Sequence, residues 1–380
     1  MHTYKHLIAE NIAPKGTKQI GVYDNTGKKV CTIPLGRLCQ PTKEKLYSFG
    51  VVSDIHLIKS DLVWDWYPIE KFDRALSHFQ EKNCEMCIVS GDLTQCGYRW
   101  GNSNTDNEPD STQMENYHIV SNKYSDLPVY EIAGNHESYF SSHPITDYLD
   151  SWEKDTGKRD LSYTITQGND LFILLGQPTG GTAIESLQWL YETLEANRNK
   201  RCFVFIHPWL TDDSGNPLTT LENNVFSMWQ NNTGNQNLEK VFKNLMSHYK
   251  NTVLFHGHSH TKFENQALDK CANYTDKNGF KSVHIPSLSR PRNIDAETGE
   301  ESYSVAESQC YLIDVYDDYI ILNGIGLTDV KTADMTDKQY KSCPLGTYKI
   351  DTPLITVEPG TFTDSTGTIT TNATSYYDGL

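Results

Sequence analysis

The sequence predicts an α/β fold, and three observations predict it. Short apolar runs alternate with longer segments whose apolar residues recur at helical spacing. Five of the apolar runs lead within a few residues into Asp, Asn or His, where the sheet of an α/β protein delivers side chains to a site. The chain, at 380 residues, can bury a large core in one big domain or two smaller ones.

In chain order, Lys18 to Leu35 read as a hairpin: Gln19–Tyr23 and Lys29–Pro34 flank a turn containing Asp24-Asn25-Thr26-Gly27. Cys39 to Lys45 read as a linker. The run Tyr47–Val52 leads to Asp54-Ile55-His56, and Met86–Val89 leads to Gly91-Asp92. Between them, Phe72, Leu76 and Phe79 give a helix over Ile69–Asn83. Gly97 to Gln113 is polar and turn-rich; it reads as a loop that either shapes access to Asp92 or is a solvated insertion. Val129–Ala133 leads to Gly134-Asn135-His136-Glu137. An amide and an imidazole left at the end of a sheet are a poor structural choice, which favours a functional reading. Ser162–Thr166 and Leu171–Leu175 read as strands. Leu187, Leu190, Tyr191 and Leu194 give a helix over Ala183–Asn197, with Thr182 as N-cap. Cys202–Ile206 runs into His207, and Val253–Phe255 into Gly257-His258-Ser259-His260. A helix over Leu238–Tyr249 separates those two, with Val241, Phe242, Leu245 and Met246 apolar. Further strands are expected at Ser282–Ile285, Gln309–Tyr316 and Tyr319–Asn323. Pro353–Leu380, rich in Thr, Ser and Gly, reads as an appended β segment or a loose tail.

The formal charge of −16 argues against a broad basic surface for duplex DNA. No apolar run reaches membrane-spanning length, and the start lacks the apolar core of a signal peptide. The expected location is cytoplasmic, with a phage-encoded or particle-associated protein as the alternative. Nine cysteines, scattered and odd in number, are no disulfide framework. The lone Cys84-Glu85-Met86-Cys87 reads as packed thiols, a redox role being the minor alternative.

Asp, Asn and His at strand ends are ligand types that Zn, Mn, Fe and Ni accept. Residues i and i+2 of an extended segment point the same way. Asp54 and His56 can therefore meet one ion, and His258 and His260 face one site.

The blocks D-x-H, G-D, G-N-H-[DE], H and G-H-x-H, in that order over about Leu46–Val315, resemble the calcineurin-like metallophosphoesterase superfamily. The resemblance implies an α/β sandwich of two mixed sheets flanked by helices. The phosphoesterase domain would span 45–327, between a hairpin extension and linker (1–44) and a C-terminal β or tail extension (328–380). It implies two divalent transition-metal ions (Mn, Zn, Fe or Ni) and phosphate-ester hydrolysis through a metal-bridging hydroxide. The first ion would take Asp54, His56, Asp92 and His260; the second, Asp92, Asn135, His207 and His258. Asp92 is then the bridge, and His136 contacts the phosphate and is a proposed proton donor to the leaving oxygen. Glu137 reads evenly as a tuning group or as a surface or structural carboxylate. His256 reads as core, and His143 and Arg99 as candidate substrate contacts. Arg290 or Arg292 could bind a phosphate oxygen, but a solvated loop is the favoured reading there.

Departures narrow the expectation. Leu93-Thr94 follows Asp92 where serine/threonine phosphatases have Arg-Gly, and Gln95 stands where purple acid phosphatases place a tyrosine. Glu137 replaces the aspartate usual in small-molecule phosphodiesterases of this superfamily. The expected substrate is a small phosphodiester or monoester, with duplex nucleic acid disfavoured. The alternatives are a nuclease, or a binding module that keeps the fold and docks through its terminal β extensions to a particle.

Overall fold

The computed structural model describes residues 19–23, 29–34, 41, 43–58, 67–95, 110–138, 145–176, 184–208, 236–265, 274–275, 281–295, 298–305, 307–328, 341–362 and 369–371. Two six-stranded mixed sheets face each other. The first contains β3 (Tyr47–Val52), β4 (Cys87–Ser90), β5 (Val129–Ile132), β14 (Gln309–Val315), β15 (Tyr319–Thr328) and β16 (Lys341–Asp351), in the order β16-β15-β14-β3-β4-β5. The second contains β6 (Ser162–Gln167), β7 (Asp170–Leu175), β8 (Cys202–Phe205), β9 (Thr252–His256), β10 (Tyr274–Thr275) and β11 (Lys281–His284), in the order β10-β11-β9-β8-β7-β6. β3-β4-β5 run parallel, as do β7-β8-β9-β11. Antiparallel strands close the outer positions.

The strands read as near-continuous apolar runs because both faces of each sheet are covered. Alternation still sorts their side chains. Phe49, Val51, Ile88, Phe172, Phe203, Phe255, Tyr311 and Ile313 meet between the sheets. Val52, Cys87, Val89 and Leu312 turn outward onto helix α1 (Pro68–Glu81), through Phe72, Leu76 and Phe79, and onto helix α2 (Asp110–Ser121). Leu171, Ile173, Val204 and Leu254 turn the other way, onto helices α4 (Ile184–Ala196) and α5 (Gln236–His248). Helix α3 (Ile145–Thr156) seats Trp152 on Ala133. At the end of the sheets away from the strand C-termini, Arg201 makes two bonds to Asp170, at 3.0 and 2.6 Å. It also donates to Tyr316 O (2.6 Å) and Thr352 Oγ1 (3.1 Å), and Tyr47 donates to Asp170 at 2.6 Å. This buried network joins both sheets to the chain leaving β16.

Gln19–Tyr23 (β1) and Lys29–Pro34 (β2) form the expected antiparallel hairpin, its turn lying outside the described residues. Two further two-stranded pieces are β12 (Arg292–Ile294) with β13 (Glu301–Tyr303), and β17 (Gly360–Phe362) with β18 (Ile369–Thr371). β16, beyond the boundary drawn at residue 327, pairs along the length of β15. Cys84 and Cys87 are free, buried thiols that burial holds above their ordinary range. No helix among the described residues is long and apolar enough to cross a membrane.

One expectation is corrected. The polar stretch Gly97–Gln113 does not remain a loop to its end, because α2 begins at Asp110. The face α2 buries includes Gln113, whose Oε1 accepts from Gln95 N at 2.9 Å, and Tyr117, whose hydroxyl donates to Glu131 at 2.9 Å. A helix that buries paired polar groups hides its period. Residues 96–109, and Arg99 with them, lie outside the described residues, as do His143 and Thr182.

Lys71, on the core-facing side of α1, is fully buried and donates to Ser289 O and to Val305 O (3.0 Å). Burial pushes its pKa from the ordinary 10.5 down to about 7, with Glu307 opposing. Between those two values the unfolded chain keeps a proton that the folded chain has lost, so stability rises with pH across that window. From pH 7 to 9 the wild type should gain about 2 kcal/mol relative to Lys71→Met, as read by urea unfolding. Stability curves that stay parallel over this range would show that Lys71 does not titrate there.

Candidate metal centre

The parallel strands stop at one end of the sandwich, and main-chain bonds tie their exits together. Asp54 N donates to Gly91 O (3.1 Å), His56 N to Asp92 O (2.9 Å) and Gly257 N to His207 O (2.9 Å). His258 N donates across to Asp54 Oδ2 at 3.1 Å, joining the two sheets through a side chain. The exits are not extended. Asp54, His56, Asp92, His258 and His260 all have positive φ, between 47° and 69°. The expectation that Asp54/His56 and His258/His260 converge by extended alternation is therefore corrected, since left-handed turns aim them instead. Such conformations cost free energy for residues with a Cβ and collect at functional sites.

These turns bring the side chains into three overlapping groups of close ligand atoms: Asp54, His56 and His260; His56, Asp92 and His136; and Asp92, His207 and His258. His260 Nε2 lies 3.1 Å from Asp54 Oδ1 and 3.1 Å from His56 Nε2. His207 Nε2 lies 3.0 Å from Asp92 Oδ2 and 3.3 Å from His258 Nδ1. Asp92 Oδ2 is also 3.9 Å from His56 Nε2, so it stands between the two ends. Asn135, 4 % exposed, opens the single helical turn Asn135–Ser138 after β5.

The donor set fits cations. His207 Nδ1 is 2.8 Å from Ser90 O and His260 Nδ1 is 3.3 Å from Arg290 O. With those Nδ1–H groups donating, each Nε2 turns a lone pair toward a carboxylate oxygen. Asp54 Oδ1 is buried and accepts no hydrogen bond. Lone pairs facing each other at about 3 Å in a buried site repel unless a proton or a cation lies between them. A proton there is held tightly: burial opposes it, but Asp92 and Asp54 raise His207 to about 9. The same pairing outweighs burial at the carboxylates, His260 and His207 lowering Asp54, and His207 and His136 lowering Asp92. Burial, with His207 adding to it, pushes His258 down to about 3, and burial lowers His56 well below its ordinary range. Ionised carboxylates and neutral imidazoles are the ligand forms.

His136 sits beside this row. Its Nδ1 is 2.6 Å from Gln95 O, its N donates to Asp92 Oδ1 at 2.9 Å, and its Nε2 faces Asp92 Oδ2 at 3.9 Å. Its ring is edge-on to His56 and 18 % exposed, so it reaches solvent where most of the row does not. Burial lowers its pKa, with Asp92 opposing.

Glu137, left open by sequence, is a structural clamp. Its buried carboxylate accepts from Gly134 N (2.7 Å), Thr94 N (2.8 Å), Thr94 Oγ1 (3.2 Å) and Asp92 N (3.1 Å). It thereby ties the G-D turn to the G-N-H turn. Burial, then the Asp92 charge, raise it to about 7. Gly134 is required by close approach, because a Cβ there would strike Asp92 Oδ1. Gly91, at φ +85°, would bring a Cβ to 2.5 Å from the His207 ring. His256 is buried in β9 against His284, with ring centroids 5.4 Å apart, in agreement with a core reading.

The solvated-loop reading of Arg290 and Arg292 is corrected. Arg292 is fully buried and donates to Ser259 O (2.7 Å), Thr261 Oγ1 (2.6 Å) and Glu301 (2.5 Å). Arg290 lies beside the ligand row, close enough that its charge helps lower His56 and His136.

The family model for calcineurin-like phosphoesterases matches residues 47–262, more than half of the chain. The chain belongs to the calcineurin-like phosphoesterase family. Of solved structures, it is similar to a dimetal phosphatase from Danio rerio (12 % identity, 80 % of this chain and 99 % of that one, TM-score 0.49). It is also similar to Vps29 from Chaetomium thermophilum (13 %, 82 % and 100 %, TM-score 0.34) and to the E. coli phosphoesterase YfcE (13 %, 72 % and 90 %, TM-score 0.30). The comparison with curated protein sequences found no match. The two mixed sheets flanked by helices are those of a calcineurin-like phosphoesterase, and the Asp/His row at their strand ends is its candidate metal site.

Proposed function

We propose that this calcineurin-like phosphoesterase holds two divalent transition-metal ions (Mn, Zn, Fe or Ni) and hydrolyses small phosphodiesters or phosphomonoesters. One observation supports this reading above the rest: two buried ligand groups meet at a single carboxylate, Asp92, which lies within reach of both. Asp54, His56, Asp92 and His260 would hold one ion, and Asp92, Asn135, His207 and His258 the other. Bound there, two such ions acidify a water and offset the charge that builds on the phosphoryl oxygens.

The chain's own residues do the rest. Ser90 O and Arg290 O fix which nitrogens of His207 and His260 face inward. Glu137 holds the turns that carry Asp92 and Asn135 in register. His136, its Nδ1–H anchored on Gln95 O, presents Nε2 toward the row, where a proton held at that atom can go to a leaving oxygen.

The test is protein reconstituted with Mn or Zn, assayed on bis-p-nitrophenyl phosphate with metal content measured alongside. Two equivalents per chain together with diester cleavage is the expected result. Zero equivalents under saturating metal would overturn it. With a charge of −16, a long polyanion meets repulsion away from the ions. Duplex DNA at equal phosphate concentration should therefore barely inhibit cleavage at moderate salt. Strong inhibition, with faster DNA breakdown than diester cleavage, would replace this reading with a nuclease.

A further inference from the structure

A buried lysine is a costly way to fasten a helix, because its amine gives up water that a few hydrogen bonds must replace. Lys71, near the start of α1, is such a residue. Among the described residues its amine bonds to main-chain carbonyls, Ser289 O and Val305 O (3.0 Å), rather than to a carboxylate. The ammonium and the neutral amine both have N–H groups enough for these two acceptors, so the clasp holds in either charge state.

The segment it clasps, residues 287–290, lies directly behind one end of the ligand row. Ser287 and Ser289 hydroxyls both donate to Asp54 O at 3.0 Å, and Ser289 N adds a longer bond to the same oxygen at 3.4 Å. Leu288 N donates to Ser53 O at 3.0 Å, and the Leu288 side chain shares an apolar cluster with Phe72, the neighbour of Lys71. Arg290 O faces His260 Nδ1 at 3.3 Å. These bonds secure Asp54 in its left-handed turn, φ 54°, which a residue with a Cβ adopts only at a cost in free energy. Asp54 and His260 are both assigned to the first ion. The other end of the row is held by different groups, His207 by Ser90 O and the Asp92 turn by Glu137.

We propose that Lys71 is a positioning residue for the first ion alone. From outside the site it fixes residues 287–290, and through them the direction of the Asp54 carboxylate and the His260 ring. This deepens the metal reading of the row and rests on it. The two ions are then unequal: the affinity of the first depends on how α1 is seated, and that of the second does not.

The test titrates Mn²⁺ into Lys71→Met, which keeps an unbranched side chain in the same place and removes the donors. One equivalent should bind as in the wild type and the other about 10–100-fold more weakly, the usual cost of losing a group that orients a metal ligand. At a Mn²⁺ concentration between the two affinities, electron paramagnetic resonance should show a mononuclear ion in place of a coupled pair. Ser289→Ala keeps the carbonyl that Lys71 binds and removes a hydroxyl from Asp54 O, so it should weaken the same equivalent. The double variant should lose less than the two losses multiplied together, because both changes cut one chain of bonds. In metal-free protein the amides of Leu288 and His258, bonded to Ser53 O and Asp54 Oδ2, should exchange with deuterated water faster in Lys71→Met. Phe203 and Val204 in β8 should keep their wild-type exchange. Equal weakening of both equivalents, or wild-type binding of both with unchanged exchange, would overturn the proposal. If the wild type takes up no Mn²⁺, the two-ion reading fails, and the exchange comparison still decides whether Lys71 holds the Asp54 turn.

Discussion

Asp92→Asn is expected to strip both metal ions and cut diester cleavage by roughly 10³-fold or more, since metal charge stabilisation is worth several kcal/mol. Asp92 is the carboxylate that two of the ligand groups share, with Oδ2 at 3.0 Å from His207 Nε2 and 3.9 Å from His56 Nε2. It is 1 % exposed, so its charge is little screened by water. An amide keeps the shape and the bond from His136 N but gives up the charge that holds two cations close together. The fold should survive, because Glu137 and the main chain secure the turn independently. Elemental analysis and circular dichroism on the same sample check both halves. A folded variant that retains two equivalents would show that Asp92 is no bridge.

The second large effect is at His136. His136→Ala should keep both ions and slow cleavage by roughly 10²–10⁴-fold when the leaving group is an alkoxide, the usual yield of general acid catalysis. With p-nitrophenolate, which leaves without a proton, the loss should shrink. Its geometry sets a condition on this role. Nδ1–H is committed to Gln95 O, and burial lowers the pKa, so only the protonated ring can donate from Nε2. The alkoxide reaction should accordingly fall off on the alkaline side in the wild type and lose that limb in His136→Ala. Equal losses for both leaving groups would assign His136 to phosphate positioning.

Much of this was legible in the sequence because metal sites are built from few residue types at fixed places. Asp54, His56, Asp92, Asn135, His207, His258 and His260 each follow an apolar run, and a parallel sheet leaves its strand ends nowhere else to go. The buried strands β3, β4, β5, β7, β8, β9, β11, β14 and the start of β15 were legible for the same reason, since burial on both faces writes them as solid apolar runs, whereas the short strands β10, β12 and β13 carry no such run and were not expected. Features that depend on long-range partners were not. A buried arginine reads like a surface one until Ser259, Thr261 and Glu301 are seen around Arg292. Glu137 gives no hint that its acceptors serve amides at positions 92 and 94. The left-handed turns were hidden as well, because Asp and His carry no local sign of positive φ as glycine does.

β3 has a consequence for how the chain folds. It is the first strand of its sheet in sequence, yet it pairs antiparallel with β14, Tyr311 opposite Val51 and Val315 opposite Tyr47. Closing that ladder means bringing together segments about 260 residues apart. During synthesis, β3-β4-β5 must wait with an open edge until β14 emerges, and an unpaired edge is a template for aggregation. A fragment ending at residue 262, where the family match ends, would carry all of the proposed ligands and lack the strand that covers that edge. Nascent chains should therefore gain protease resistance late and in one step, after β14 and β15 have left the ribosome.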